Sequence, residues 1–260
     1  MNENRIKIGV IPAAGSGKRL GYLSNLLPKT LFPIYDRPIL HHIINLMESL
    51  GIEDIYIIVN IHKDKILEYY KSVKKTLKAR IHFIEQKELN GVANAILLVK
   101  KYIKNESFFT ILGDECIITE SLESFIDFFF DNDCIVAEVV IKEKDRSLLR
   151  QTCCAKIAAD NRIIEIIEKP ENPLSNIRGC GIYLFKPEIF SFIEKSMADA
   201  AKKEKDITTT IDNIAKTNKA YAYFLNGLNI NINNADELLK ASTYVKKYFS
   251  SINSNYLDSK

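Results

Sequence analysis

The sequence predicts an α/β protein, a mainly parallel sheet with helices on both faces. Three observations carry that reading. Short Ile- and Val-rich runs at 6–11 and 55–59, and a Phe-rich one at 108–112, lack the alternation of half-exposed strands and read as buried ones. Amphipathic stretches of helical spacing separate them, the signature of strand–helix–strand units. The first run empties into Ala13-Ala14-Gly15-Ser16-Gly17. Such sheets keep their ligands beyond the carboxyl ends of the strands, where a loop of this kind falls.

In chain order, strand 6–11 is followed by the small-residue loop. A helix over 39–50 has apolar residues at Ile39, Leu40, Ile43, Ile44, Leu46, Met47 and Leu50, and Gly51 ends it. Strand 55–59, helix 62–77, strand 80–84, helix 91–103 and strand 108–112 follow, the last ending at Gly113-Asp114. Helix 122–130 leads to strand 134–141. Strands 153–158 and 163–167 flank a turn at Asp160-Asn161. Strand 181–185 precedes a helix opened by Pro187. Residues 197–205 are polar and lysine-rich, an exposed loop or helix end. Helix 208–216, an extended segment at 220–225 and a closing helix over 235–249 complete one domain spanning 1–249. The polar tail 250–260 is expected to be loose.

Composition narrows the function. Of 260 residues, 47% are hydrophobic and 27% charged, an ordinary soluble globular balance. A net charge of +3 with no Lys/Arg block argues against nucleic acid. No apolar run approaches membrane-spanning length, and residues 1–7 are too polar for a signal sequence, so no membrane role is expected. The five cysteines, Cys116, Cys134, Cys153, Cys154 and Cys180, have neither disulfide-framework nor zinc-site spacing. They read as free thiols in a reducing cytoplasm. His41 and His42 are adjacent on a helix and cannot share a face, which favours structural roles over a metal pair.

Glycines after a buried strand let backbone N–H groups approach phosphate. Two familiar phosphate loops fail on named residues. A Walker A loop needs Ser or Thr where Arg19 stands and Gly where Pro12 stands. A dinucleotide fingerprint needs a small residue at Leu20 and an acid after the second strand, which ends at Val59-Asn60.

What remains is Ala13-Ala14-Gly15-Ser16-Gly17-Lys18-Arg19-Leu20, then Leu27-Pro28-Lys29-Thr30-Leu31 and Pro38-Ile39-Leu40. Downstream come Gln86 with Gly91-Val92-Ala93-Asn94-Ala95, Leu112-Gly113-Asp114, Glu168-Lys169-Pro170 and Gly179-Cys180-Gly181-Ile182-Tyr183. From about residue 6 to 240 this series resembles the sugar-1-phosphate nucleotidylyltransferases, or sugar-nucleotide pyrophosphorylases, of the glucose-1-phosphate thymidylyl- and uridylyltransferase type. The resemblance implies a three-layer, Rossmann-like (GT-A-like) nucleotidyltransferase fold with a mixed, mainly parallel sheet. It implies transfer of a nucleotidyl group from dTTP or UTP to a sugar 1-phosphate, with Mg²⁺ as cofactor and pyrophosphate as leaving group.

The resemblance also assigns roles. Arg19 would hold the β- and γ-phosphates, and Lys29 would draw the α-phosphate and sugar phosphate together. Asp114 would bind Mg²⁺. Ala13, Ala14, Gly15, Ser16 and Gly17 would cradle the triphosphate, and Gln86 with the Gly91 backbone would read the pyrimidine. Lys169 would clamp the sugar phosphate, while Glu168 and Gly181 would line the sugar site. Three departures stand out. Relatives place a second metal-binding Asp where this chain has Asn231 or Asn233, and neutral Asn weakens such a site. Cys153-Cys154 replaces an aromatic–glycine pair near the sugar, and Thr209 stands where an Asp is common. Glu115 adds a carboxylate beside Asp114. A cytidylyltransferase acting on a phosphate such as phosphocholine, or a non-catalytic nucleotide-sugar-binding regulator, is the alternative reading. Homo-oligomerisation stays open.

Overall fold

The computed structural model describes residues 5–15, 17, 20–60, 63–198 and 206–257. Ser16, Lys18 and Arg19 lie outside the described residues, as does most of the lysine-rich segment 197–205. The chain begins with β1 (Ile8–Pro12), α1 (Leu23–Leu26), a 3₁₀ turn over Lys29–Leu31, and the two short strands β2 (Pro33–Ile34) and β3 (Arg37–Pro38). It continues through α2 (Ile39–Ser49), β4 (Asp54–Val59), α3 (Lys63–Val73), β5 (Arg80–Glu85), α4 (Val92–Leu97), α5 (Lys100–Ile103), β6 (Phe108–Ile111) and β7 (Glu115–Ile118). Next come α6 (Glu123–Asp131), β8 (Val136–Lys142), α7 (Arg146–Leu149), β9 (Cys153–Ile157), β10 (Ile163–Glu168) and β11 (Ile177–Phe185). Helices α8 (Ile189–Ala198) and α9 (Ile207–Ala215), strands β12 (Ala220–Phe224) and β13 (Leu228–Asn231), and helix α10 (Ala235–Leu257) close the chain.

A nine-stranded mixed sheet runs β10-β9-β11-β6-β1-β4-β5, with β8 joining β11 to β12. The half formed by β6, β1, β4 and β5 is parallel, and β11 enters antiparallel to β6. Strand alternation sends neighbouring side chains to opposite faces, so two cores form. Phe109 packs beside Phe125 on one face, and Phe108 packs between Phe185 and Phe190 on the other. Helix α2 buries Ile39, Leu40, Ile43, Ile44 and Met47 as one stripe. Gly51, at φ 78°, turns the chain after it. The Asp206 carboxylate caps α9 by accepting from the Thr209 N–H at 2.6 Å. That contact gives the Asp206–Thr209 segment a local structural role.

Most predicted elements form. The differences cluster at the carboxyl end of the sheet. Strands β7 and β13 were not anticipated, and they pair with each other in a two-stranded sheet apart from the main one. Strand β11 starts at Ile177, four residues before the expected strand, and its register against β8 shifts between Gly179 and Tyr183. The helix expected over 91–103 is broken into α4 and α5. Helix α10 runs to Leu257, beyond the expected end at residue 249. Among the described residues no helix is long and apolar enough to cross a membrane.

The parallel pairing of β1 and β6 brings both strand ends to one spot. Gly113 N–H donates to the Pro12 carbonyl at 3.0 Å, and a Cβ there would lie 2.8 Å from Thr30 Cγ2 and 2.9 Å from that carbonyl oxygen. Gly113→Ala is therefore expected to destabilise the protein by about 1–3 kcal/mol in urea unfolding. An unchanged midpoint would contradict this close approach.

Candidate active site

The pocket at the carboxyl ends of the parallel strands has a volume of about 230 Å³. Its wall contains Ala13, Ala14, Gly15, Lys29, Gln86, Gly91 and Asp114, brought together from five separate stretches of chain. The loop after β1 is pinned at its start. Ala13 N–H donates to the Ile58 carbonyl at 2.9 Å, and the buried Asn60 amide donates to the Ala14 carbonyl. A Cβ on Gly15 would meet nothing within 4 Å, so its bare backbone faces open space. Gly17 has φ 62°, and its Cβ position lies 3.3 Å from Lys29 Cβ, which seats the loop against that lysine.

Lys29 Nζ donates to Asp114 Oδ2 at 2.7 Å and to Asn233 Oδ1 at 3.2 Å. The Lys29 side chain is only 11% exposed, so this pair is partly shielded from solvent. From Asn233 a polar ladder continues inward. Asn233 donates to Asn231 Oδ1, and Asn231 donates to Glu115 Oε1 at 2.5 Å. Asn229 donates to Glu115 Oε2 at 2.8 Å. Glu115 is buried, and its carboxyl is pushed up to about 7 by burial first and the neighbouring Asp114 charge second. Both expected asparagines are thus at the site, with their amide oxygens already engaged. Glu115, adjacent to Asp114, carries the further carboxylate.

At the base end, Gln86 is buried and its amide donates to the Gly91 carbonyl at 3.2 Å and to Asn90 Oδ1 at 3.3 Å. Gly91, at φ 105°, occupies backbone space that a side chain disfavours. Gly181, at φ 64°, accepts from the Leu112 N–H at 2.9 Å, and its Cβ position is 2.8 Å from Glu115 Oε1. Glu168 and Lys169 are not part of the pocket wall. They sit at the end of β10, where Glu168 Oε1 lies 2.9 Å from Lys169 Nζ and Oε2 accepts from Thr208 at 3.1 Å. Lys169 adopts φ 45°, and its N–H donates to the Thr152 carbonyl at 2.8 Å. His41 contacts Tyr69 and His42 contacts the Ile34 carbonyl, so the two rings serve separate structural contacts.

Glu138 belongs to none of the motifs in the sequence. It lies mid-strand in β8 and is fully buried, with its carboxyl pushed up to about 8 by desolvation and by the Glu168 and Glu115 charges. Its only signal in the sequence is a single acid inside the apolar run Val136-Ala137-Glu138-Val139-Val140. The stability consequence has a definite sign. Below an unfolded value of 4.5 the group is protonated in both states. As pH rises the unfolded chain ionises while the folded chain keeps its proton, so stability is lost up to the folded value. Glu138→Gln removes that loss. Its advantage over wild type in urea unfolding is expected to grow by ~2–4 kcal/mol from pH 5 to pH 8 and then level off. A constant difference across that range would contradict the buried-acid reading.

Comparison with known proteins agrees with this architecture. The nucleotidyl transferase family model matches residues 8–247. The bifunctional protein GlmU of Methanocaldococcus jannaschii is 34% identical over 236 residues, covering 91% of this chain and 53% of that protein. GlmU of Methanococcus aeolicus is 32% identical over 240 residues, covering 92% and 54%. The chain spans about half the length of the curated relatives it matches. A Bacillus anthracis structure assigned as a glucose-1-phosphate thymidylyltransferase, in complex with sucrose, superposes with TM-score 0.83 at 24% identity, covering 91% of this chain and 94% of that one. A UDP-glucose pyrophosphorylase complexed with UDP-glucose gives 0.83 at 23%, covering 93% and 99%. At those identities the structural likeness is one of fold. With nearly its whole length matched by the family model, the chain belongs to the nucleotidyl transferase family.

Proposed function

We propose that this protein transfers a nucleotidyl group from dTTP or UTP to a sugar 1-phosphate, giving a nucleotide sugar and pyrophosphate. One observation carries the reading: Lys29 and Asp114 meet at 2.7 Å in the pocket wall formed by the glycine loop. Family membership supports it. So do the names of the fold neighbours, a glucose-1-phosphate thymidylyltransferase and a UDP-glucose pyrophosphorylase.

The sugar-phosphate oxygen would attack the α-phosphorus while the bond to the bridging oxygen of pyrophosphate breaks. Such a transfer needs charge neutralisation and alignment more than covalent help. Lys29 would leave Asp114 and bridge the two reacting phosphates. Arg19 would hold the departing β- and γ-phosphates with its planar fork. Gln86 and the Gly91 backbone would fix the base, Lys169 would hold the sugar phosphate, and Glu168 would accept from sugar hydroxyls. Asp114 with an amide oxygen of Asn231 or Asn233 would hold Mg²⁺, since carboxylate, amide and phosphate oxygens all suit that hard ion. Bound there, the ion would offset phosphate charge. The resting contact of the Lys29 ammonium on Asp114 supports a cation-accepting carboxylate at this point. Five free, buried thiols support a reducing, cytoplasmic setting.

The neutral Asn231 and Asn233 favour a second reading, a nucleotide-sugar-binding regulator without turnover. Pyrophosphate release decides between them. Incubation with dTTP or UTP, glucose 1-phosphate and Mg²⁺ is expected to give turnover that EDTA abolishes. Lys29→Ala and Arg19→Ala are each expected to lower kcat/KM by about 10²-fold or more while still melting cooperatively. Binding without turnover would favour the regulator, and near-normal turnover in both variants would contradict the assigned roles.

A further inference from the structure

The acid hidden in β8 is out of keeping with its surroundings. Val136 and Val140 flank Glu138 at strand spacing and lie in the core under α8 and α9, so an aliphatic residue would satisfy that position. The carboxyl has little to hold it. Among the described residues Oε1 meets only the Cys153 thiol, a weak donor, at 3.6 Å, and Oε2 has no hydrogen-bond partner. A buried polar atom in that state destabilises the fold.

The backbone opposite is shaped around it. A Cβ on Gly179 would lie 2.1 Å from Glu138 Oε1 and 2.3 Å from Cys153 Sγ, so only glycine fits. Just beyond Gly179, β11 departs from the register of β8 until Tyr183. In backbone register Glu138 opposes Tyr183, but its Oε1 reaches the Gly179 backbone and lies 3.6 Å from Cys153 Sγ. Cys153 pairs with Glu168, so Glu138, Cys153 and Glu168 form one row of side chains. The row ends at Glu168, whose side chain is 30% exposed and touches Lys169. Glu138 is fully buried beside Cys153, so a ligand reaching its carboxyl would have to displace that thiol.

The charges in this region are predominantly of one sign. Glu115 and Glu168 both act on Glu138; the buried Arg178 partly offsets Glu115, and Glu168 contacts the partly exposed Lys169. Arg178 lies nearby but is turned to Glu143 at 3.6 Å and to the Asn229 carbonyl at 3.1 Å. Burial keeps this acid protonated in the free protein, and an ammonium group brought to it would favour the ionised carboxylate and supply several N–H donors. A neutral hydroxyl supplies one donor and leaves the field unbalanced.

Building on the transferase reading above, we propose that Glu138 forms the floor of the acceptor subsite and selects an amino-sugar 1-phosphate through its free ammonium group. The row from Glu168 to Glu138 is where the sugar ring lies, and Oε2 receives the amine.

Steady-state kinetics with UTP and dTTP test this, using glucosamine 1-phosphate, glucose 1-phosphate and N-acetylglucosamine 1-phosphate as acceptors. Wild type is expected to favour glucosamine 1-phosphate by about 10-fold or more in kcat/KM, as a charge-assisted contact allows. Glu138→Leu is expected to abolish that preference, the loss falling on the acceptor KM. The same variant is expected to melt about 2–4 °C higher, because a cost of burial is removed. Equal or better use of either other acceptor by wild type, or an unchanged preference in Glu138→Leu, would overturn the proposal. Should no acceptor react, the transferase reading fails, and calorimetry still reads the subsite. Glucosamine 1-phosphate should then bind wild type about 10-fold tighter than Glu138→Leu, and equal binding overturns the assignment.

Discussion

The site depends on the contact between Lys29 and Asp114, residues 85 positions apart in sequence. Neither side chain is placed by local structure alone. Asp114 follows β6, and Lys29 opens the 3₁₀ turn beyond the glycine loop. Parallel pairing of β1 with β6 carries both to the same sheet edge, and the Gly113-to-Pro12 hydrogen bond sets their separation. Gly17 then fits beside the Lys29 stem. A cation and a carboxylate are thereby held as a partly shielded pair at the mouth of a pocket walled by bare backbone. On the proposed function, incoming phosphate would compete for the lysine and a metal ion for the carboxylate, so one exchange would serve both ligands.

Behind that pair lies a polar system with little charge of its own. The ladder from Lys29 through Asn233 and Asn231 to Glu115 fixes the direction of each amide, because each amide oxygen accepts from one neighbour and each NH₂ donates to the next. Glu115 is satisfied by two amides, which distinguishes it from Glu138, whose Oε2 is orphaned. Among the described residues Thr30 Oγ1 and Asn229 Oδ1 are likewise without a hydrogen-bond partner, so unmet polar atoms lie both in β8 and beneath the pocket. Buried polar groups with complete partners rigidify a site, whereas incomplete ones cost stability.

The parallel half of the fold was legible because its strands are buried on both faces and its helices are amphipathic. The glycine loop, Lys29, Gln86, Gly91 and Asp114 were legible as a site because motif order placed them together. The other half was harder to read. Strands β7 and β13 are four residues each, and β13 carries Asn229 and Asn231, residues of low strand propensity; their pairing is decided by contacts more than 100 positions apart. Asn229 therefore had no predicted role. Glu138 was hidden by the surrounding apolar run, since a period of two says which face a residue points to but not what it meets there. The long reach of α10 follows from continued helical geometry across a segment whose polarity suggested a loose tail.

The most direct measurement is a crystal structure of the protein with a non-hydrolysable UTP analogue and Mg²⁺. In it Lys29 Nζ is expected to have left Asp114 Oδ2 for the α-phosphate, with Asp114 facing the metal and the triphosphate lying along the Gly15 backbone. A nucleotide bound with the Lys29–Asp114 contact intact at its 2.7 Å separation would contradict the exchange of Lys29 from carboxylate to phosphate.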